Sequence, residues 1–463
     1  MASAIILLPL YIANLSTADY GAMSIYLVFS ALVQILVMYS FDSSLYIHFH
    51  EYKNDQRTLS SFVSSAFVLM LMIGVGVSII SFIIGDIILV RFFAEHSLTF
   101  YPYGVVALGT GILQSLLKVY TNLLQSRQKA EAFFWTNLFN FLFTLTFTVV
   151  GIKLFPQTLI GPLGGRMIAA IFSGTWVLGS IFSEFGFHFD YPLLRSSFGF
   201  NLYAFIYQVQ QWLINSFDRV IMAFFGVSLA GVGVYDFALK CVLGIELIMN
   251  GLNNSSYPKV ISAFMAQEKK HSTPEINRYY HGNTAVVMLM VCLTIFFFPL
   301  LLETFLASKT SYLQAIPFIP YVASLYLFRM IRLYFAVPYS VLKYTKPLPA
   351  IYMVVSAVKI GMIVLLLGRY QTYGVIIASF CSVMVEIVLL RLFVQDRFTF
   401  RYNSFKMIIA PMLLFLMIVM LEPWFDHTFG WLIHAIYLLS CGGLLWWTYR
   451  NEIRVLMFRK VKG

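Results

Sequence analysis

The chain has 463 residues, of which 60% are hydrophobic and only 11% charged, against about a quarter charged in an average soluble domain. So few charges could not cover the surface of a soluble protein, and the apolar runs leave no polar stretch longer than roughly twenty residues in which a soluble domain could lie. The formal charge of +11 does not point to nucleic acid, because no recognition motif accompanies it and the basic residues sit in short loops between apolar spans.

In chain order, apolar segments bounded by loop signals fall near residues 2–15, 22–47, 60–84, 102–125, 132–152, 158–183, 199–225, 231–257, 279–302, 313–331, 347–368, 372–390, 407–421 and 429–449. This predicts an all-α polytopic membrane protein of about fourteen transmembrane helices, the tenth able to run on through Tyr334. The first segment is shorter than the roughly 20 residues that cross hydrocarbon, and it lacks the basic start and cleavage signature of a signal peptide. The expectation is that the natural start lies upstream or that the first helix is incomplete. Cys241, Cys292, Cys381 and Cys441 are isolated within apolar segments and read as small core residues.

Orientation follows from the 31 Lys and Arg residues. With both termini cytoplasmic, 21 fall in inside loops and the tail. Only four, Arg91, Lys153, Lys309 and Arg369, fall outside, and six lie within spans. Positive residues resist translocation, so this bias supports the helix count and its parity. A weak internal repeat accompanies it. GRMIAAIFS from Gly165 and GVIIASFCS from Gly374 share four of nine positions, and Gly21 and Gly233, which begin the second and eighth helices, stand 212 residues apart, close to the 209 between Gly165 and Gly374. Two six-helix halves related by an axis along the membrane normal would give such an offset, with chance identity among apolar residues as the competing explanation.

Charged groups facing lipid are costly, so charges inside spans face protein or a water-filled cavity. The seventh helix carries Gln208, Gln211, Asn215, Asp218 and Arg219 at spacings that stack them on one face. The eighth carries Asp236, Lys240, Glu246, Asn250 and Asn254 within an arc of roughly 120°, with Asp236 and Lys240 spaced to pair locally. The fourth carries Gln114, Lys118, Thr121, Asn122 and Gln125. Arg166, Arg329, Lys359 and Glu386 are single ionisable residues, and Arg332 lies at a boundary. Polar faces in both halves predict a central cavity. Ammonium and guanidinium groups there would attract a pyrophosphate, and the carboxylates of Asp218, Asp236, Glu246 and Glu386 could carry a coupling proton or sodium ion.

A structural reading stands beside each of these. Asp218 with Arg219 and Asp236 with Lys240 are equally explained as ion pairs that lock helices. Lys118, Arg329 and Arg332 lie toward the cytoplasmic end and Arg166 toward the outer one, where snorkelling to headgroups is the alternative. Lys359 and Glu386 lie deeper, which favours a cavity or a pair. Tyr26, Tyr207, Tyr235 and Tyr326 could stack on sugars, but packing is the stronger explanation. His48 and His50 read as an interfacial pair rather than metal ligands.

The stretch SFGFNLYAFIYQVQQWLINSFDRVIMAFFGVSLAGVGVYDFALK, Ser197 to Lys240, resembles the part of Wzx-type polysaccharide flippases where the seventh helix leads through an Asp-Arg pair to a short turn and a Gly-x-Tyr opening of the eighth. ANLSTADYGAMSIYLVFSAL, Ala13 to Leu32, is similar to that family's first turn, and GPLGGRMIAAIFSG resembles its sixth helix. The resemblance implies the multidrug/oligosaccharidyl-lipid/polysaccharide (MOP) exporter fold, with a six-helix lobe over 1–184, a second over 185–395, and two extra C-terminal helices with a basic tail over 396–463. It implies alternating access, an undecaprenyl-diphosphate-linked oligosaccharide as substrate, the bacterial inner membrane as location, and no catalytic residue or cofactor. Membrane lipids and other polysaccharide-assembly proteins are the implied partners. Arg219, Lys240, Lys359, Asn215, Arg329 and Lys118 are the candidates for the substrate cavity. Asp42, in Phe41-Asp42-Ser43-Ser44, departs from the small apolar or Gly residues usual there and leaves open whether that region forms cavity or inner gate.

Three other classes compete. A cation-coupled multidrug exporter of the same fold would favour carboxylates and aromatics over a partly cationic set. A glycan polymerase or ligase would need a sizeable outer loop, yet the longest one, about Gly85 to Tyr101, holds Asp86, Arg91, Glu95 and His96 without a compact catalytic cluster. A purely structural membrane protein would not carry so many intramembrane charges.

Overall fold

The computed structural model describes residues 2–92, 98–265, 274–306, 309–342, 344–395, 402–422 and 430–458. Among these the regular structure is helical throughout, as it must be where a backbone in hydrocarbon has to satisfy its own hydrogen bonds. Each of the fourteen predicted segments falls on helix. Eight helical stretches among the described residues are both long and apolar enough to cross a membrane by themselves. The protein is a multi-pass membrane protein that packs as two compact units, Ala2–Gly233 and Val234 onward.

The first unit comprises α1 (Ala2–Asn14), α2 (Thr17–Met38), α3 (Phe41–Tyr52), α4 (Gln56–Phe92), α5 (Val105–Ser126), α6 (Ala130–Leu154), α7 (Ile160–Phe185), α8 (Tyr191–Arg195), α9 (Phe198–Asn215), α10 (Asp218–Phe224) and the start of α11 (Leu229–Cys241). Ser16 begins α2: its hydroxyl accepts the Asp19 backbone N–H at 3.1 Å and donates to the Asp19 carboxylate at 2.6 Å, satisfying a donor that the helix itself leaves over. A buried cluster that includes Phe41, Phe62, Phe67 and Leu116 joins α3, α4 and α5. Along α4, Ile79, Ile83 and Ile87 recur every fourth residue and are exposed, the stripe a helix offers to lipid tails.

The second unit continues through α12 (Leu243–Met265), α13 (Pro274–Phe305), α14 (Thr310–Leu313), α15 (Ile319–Val341), α16 (Leu348–Val394), α17 (Ala410–Leu421) and α18 (Gly430–Phe458). Two of its buried hydroxyls tie helices together: Tyr334 donates to the Tyr280 carbonyl at 2.8 Å and meets Thr284 Oγ1 at 2.7 Å, and Tyr339 donates to the Leu390 carbonyl at 2.8 Å. In α16, Gln371 at φ +46° divides the eleventh and twelfth predicted spans. Tyr449, at φ −118°, breaks α18, and beyond the break the Glu452 carboxylate receives Lys406 Nζ at 2.7 and 2.9 Å and stands 3.2 Å from His281 Nδ1.

The spans are less continuous than the apolar runs implied. The second is broken at Tyr39 and Ser40, both at positive φ (+42° and +59°). The seventh is broken between Asn215 and Asp218, and the eighth at Val242. Conversely, α4 runs to Phe92 and α15 to Val341, so the outer stretch drawn from Gly85 is helical for its first two turns. Glu95 and His96 lie outside the described residues, as do the loop cations Lys269, Lys270, Lys343, Arg397, Arg401, Arg459, Lys460 and Lys462. All four cysteines are free, three buried and Cys381 half-buried.

Candidate functional site

In the first unit the polar residues are arranged around the break between α9 and α10. Trp212 Nε1 donates to the Val28 carbonyl at 3.1 Å and Gln208 Nε2 to Asp42 Oδ1 at 3.0 Å, which ties α9 to α2 and α3. Asp42 is therefore buried and engaged rather than presented as an isolated charge. Asp218 opens α10, and its Oδ1 accepts the Arg219 backbone N–H at 3.0 Å, a carboxylate at the electropositive end of a helix. Arg219 folds back: its Nη1 lies 3.4 Å from Asp218 Oδ1 and donates at 3.4 Å to the carbonyls of Asn215 and Ser216. Those carbonyls end α9 and lack intrahelical partners, so the guanidinium caps one helix while pairing with the first residue of the next. Asn215 itself is exposed and donates to the Gln211 carbonyl at 2.8 Å.

The predicted common face of Gln208, Gln211, Asn215, Asp218 and Arg219 is thus split over two helices, because the break at Ser216 and Phe217 resets the helical phase. Lys118 is exposed on α5; its carbonyl accepts Thr121 Oγ1 at 2.9 Å, while its ammonium has no hydrogen bond or ion pair to any described residue. Arg166 reaches the Tyr11 hydroxyl from Nη2 at 3.2 Å, joining α7 to α1. Tyr26 donates to the Thr99 carbonyl at 2.7 Å and accepts the Thr99 N–H at 3.0 Å, so its hydroxyl serves packing. His48 pairs with Glu51 at 2.6 Å and stacks on Tyr52.

In the second unit, Lys240 Nζ stands 3.8 Å from Asp236 Oδ1, one turn away on α11. The pair is loose and lopsided, with the Lys240 side chain 28% exposed and that of Asp236 4%. Helix α15 presents Tyr326, Arg329 and Arg332 at intervals of three. The Tyr326 hydroxyl donates to Glu246 Oε2 at 2.9 Å, and the Arg329 guanidinium lies 5.0 Å from the centre of the Tyr326 ring, within cation–π range. Arg332 Nη1 lies 3.4 Å from Oε1 of the buried Glu386 on α16. Lys359, on the first half of α16, is buried.

Sequence spacing anticipated Asp236 with Lys240 but not Glu246 with Tyr326 or Arg332 with Glu386. The break at Val242 also separates Asp236 and Lys240 from Glu246, Asn250 and Asn254, which the sequence placed on one continuous arc.

A family model described as "Polysaccharide biosynthesis protein" matches residues 2–265. A search of curated proteins finds no match in sequence. Among solved structures, the chain is similar to a lipid II flippase, MurJ, in an inward closed conformation. The TM-score is 0.71 at 16% identity, over 97% of this chain and 98% of that one. It is also similar to a multidrug resistance MATE family transporter of the MOP superfamily, inward-facing, with a TM-score of 0.62 at 12% identity, over 85% of this chain and 93% of that one. At these identities the likeness is one of fold. With the helix count and the family match over more than half its length, the chain belongs to the polysaccharide biosynthesis protein family and has the fold of MOP superfamily transporters.

Proposed function

We propose that the protein is a flippase that translocates an undecaprenyl-diphosphate-linked oligosaccharide across the bacterial inner membrane by alternating access, for O-antigen, capsule or exopolysaccharide synthesis, with both termini cytoplasmic. The observation that carries this reading is the partly exposed Lys240 side chain, held beside buried Asp236 inside an otherwise apolar helix. A cation kept partly accessible there suits a diphosphate, since charge-assisted hydrogen bonds strengthen where water is scarce. Lys359 and Arg329 add positive charge in the same unit, and Lys118 in the first. Glu386 and Asp236 are the carboxylates proposed for proton or sodium coupling. The family match supports the polysaccharide assignment, and the fold supports a transporter rather than an enzyme.

The test is reconstitution into liposomes carrying a polyprenyl-diphosphate-linked oligosaccharide on one leaflet, scored by accessibility of the sugar at the opposite face. Protein-dependent appearance of the sugar is expected. No movement of any lipid-linked glycan, together with export of an organic cation, would instead assign the chain to drug export.

A further inference from the structure

The first unit contains a cavity of about 310 Å³ that the polar clusters above do not use. It opens among the start of α2, the turn before α6 hands over to α7, and the segment before α5, the end of the unit that the charge distribution assigns to the outside. Asp19, Tyr26, Tyr103, Gln157 and Thr158 line it, with small and branched apolar residues between them. The Tyr26 and Tyr103 rings stand 5.7 Å apart at 49°.

Three polar ends remain available there. Asp19 spends Oδ2 on Ser16, while its Oδ1 takes no hydrogen bond from any described residue. The Tyr103 hydroxyl and the Gln157 amide likewise have no hydrogen-bond partner among the described residues. Gln157 is held at φ +60°, a conformation that a non-glycine residue rarely adopts.

We propose that this cavity is a binding site for one neutral sugar ring, which on the flippase reading receives part of the glycan at the outer face. Among the described residues no Lys or Arg lines it, and Asp19 would repel a phosphate, so the site is unsuited to the lipid diphosphate. An organic cation would need acceptors only. Here an acceptor carboxylate, an amide with both functions and a phenolic donor surround an apolar and aromatic wall, the combination that matches hydroxyls on the rim of a ring and C–H groups on its face. The volume lies at the lower limit of small-molecule sites, about 300–1,000 Å³, which fits a single ring and not an oligosaccharide.

The experiment uses the full chain in lipid nanodiscs and saturation-transfer NMR, with methyl glucopyranoside and N-acetylglucosamine as probes and tetraphenylphosphonium as competitor. Saturable transfer to ring protons of at least one sugar is expected, unaffected by the cation. Asp19→Asn, which keeps the side-chain shape and its bond to Ser16, should weaken binding about tenfold through loss of a charged acceptor. Ala18→Phe, which fills the cavity without removing a polar group, should abolish it. Absence of transfer from both sugars, equal binding by wild type and both variants, or displacement by the cation would each overturn the proposal. The proteoliposome assay separates the two readings: glycan movement without sugar binding here refutes the subsite alone, and sugar binding without glycan movement refutes the flippase reading alone.

Discussion

Gly21 and Gly233 meet reciprocally: a Cβ on Gly21 would lie 1.9 Å from the Leu229 carbonyl oxygen, and a Cβ on Gly233 would lie 2.0 Å from that of Thr17. Thr17 precedes Gly21 by four residues, as Leu229 precedes Gly233, so the two helix starts touch through equivalent atoms related by a local twofold. The 212-residue offset between these glycines therefore joins positions in physical contact. Gly165 and Gly374 share a different trait. Each presses on the backbone of the helix before it, at Phe147 and Leu366 respectively.

Any side chain at the Gly21–Gly233 contact must push two backbones apart. Gly21→Ala and Gly233→Ala should each destabilise by about 1–3 kcal/mol, the range for overpacking, with the double variant losing less than the sum because both relieve one contact. Gly179, whose added Cβ would meet nothing within 4 Å, is the control: Gly179→Ala should melt at the same temperature or higher, by up to about 1 kcal/mol. Thermal unfolding in detergent decides it, and equal behaviour of Gly21→Ala and Gly179→Ala would contradict the contact.

Arg219 is assigned a supporting role by its geometry. Arg219→Ala leaves Asp218 buried beside uncapped carbonyls, so the loss should appear as reduced folded protein in the membrane, with Arg219→Lys intermediate because a point charge replaces the planar fork. Monodisperse protein measured by fluorescence-detected gel filtration would show this. A variant with normal abundance and no transport would place Arg219 at the substrate instead.

Arg332 and Glu386 form a partly buried pair, and removing one partner of such a pair strands the other. Arg332→Ala should destabilise by about 2 kcal/mol or more, whereas Glu386→Gln, which removes the charge but keeps hydrogen-bonding atoms, should do less. A double-mutant cycle on unfolding should give coupling; strict additivity would mean the pair contributes nothing.

Glu452 lies past the break in α18. Burial by itself would raise its carboxyl, but the hydrogen bond from Lys406 and the nearby positive charge outweigh burial and hold it below the ordinary carboxylate value. A group with a depressed folded pKa contributes stability that is complete above its unfolded pKa and disappears as pH falls through the folded one. Stability of wild type should therefore fall on acidification below the usual carboxylate range, and Glu452→Gln should lose part of that fall while being less stable at neutral pH. Parallel melting profiles for the two proteins from neutral to acid pH would refute this.

Much of the helical architecture was legible in the sequence because run length and loop charge are local signals. The fourteen apolar runs coincide with helices for that reason, and Asp236 with Lys240 was readable from spacing because both lie on one turn of α11. The breaks were not. Tyr39 and Ser40 take positive φ without a glycine to mark it, and Ser216 and Phe217 carry no breaker. Partners distant in the chain were equally hidden: Asp42 with Gln208, Glu246 with Tyr326 and Arg332 with Glu386 depend on which helices become neighbours. A polar residue in an apolar run announces that it needs a partner, but not which one.

The most direct measurement is the rate at which wild type and Lys240→Ala, reconstituted in equal amounts, move a diphosphate-linked lipid oligosaccharide across liposomes. Movement by wild type that falls about tenfold or more in the variant, the effect of one lost charge-assisted contact, is the expected result. Equal rates, or no movement of any lipid-linked glycan by wild type, would contradict a flippase that holds its diphosphate through Lys240.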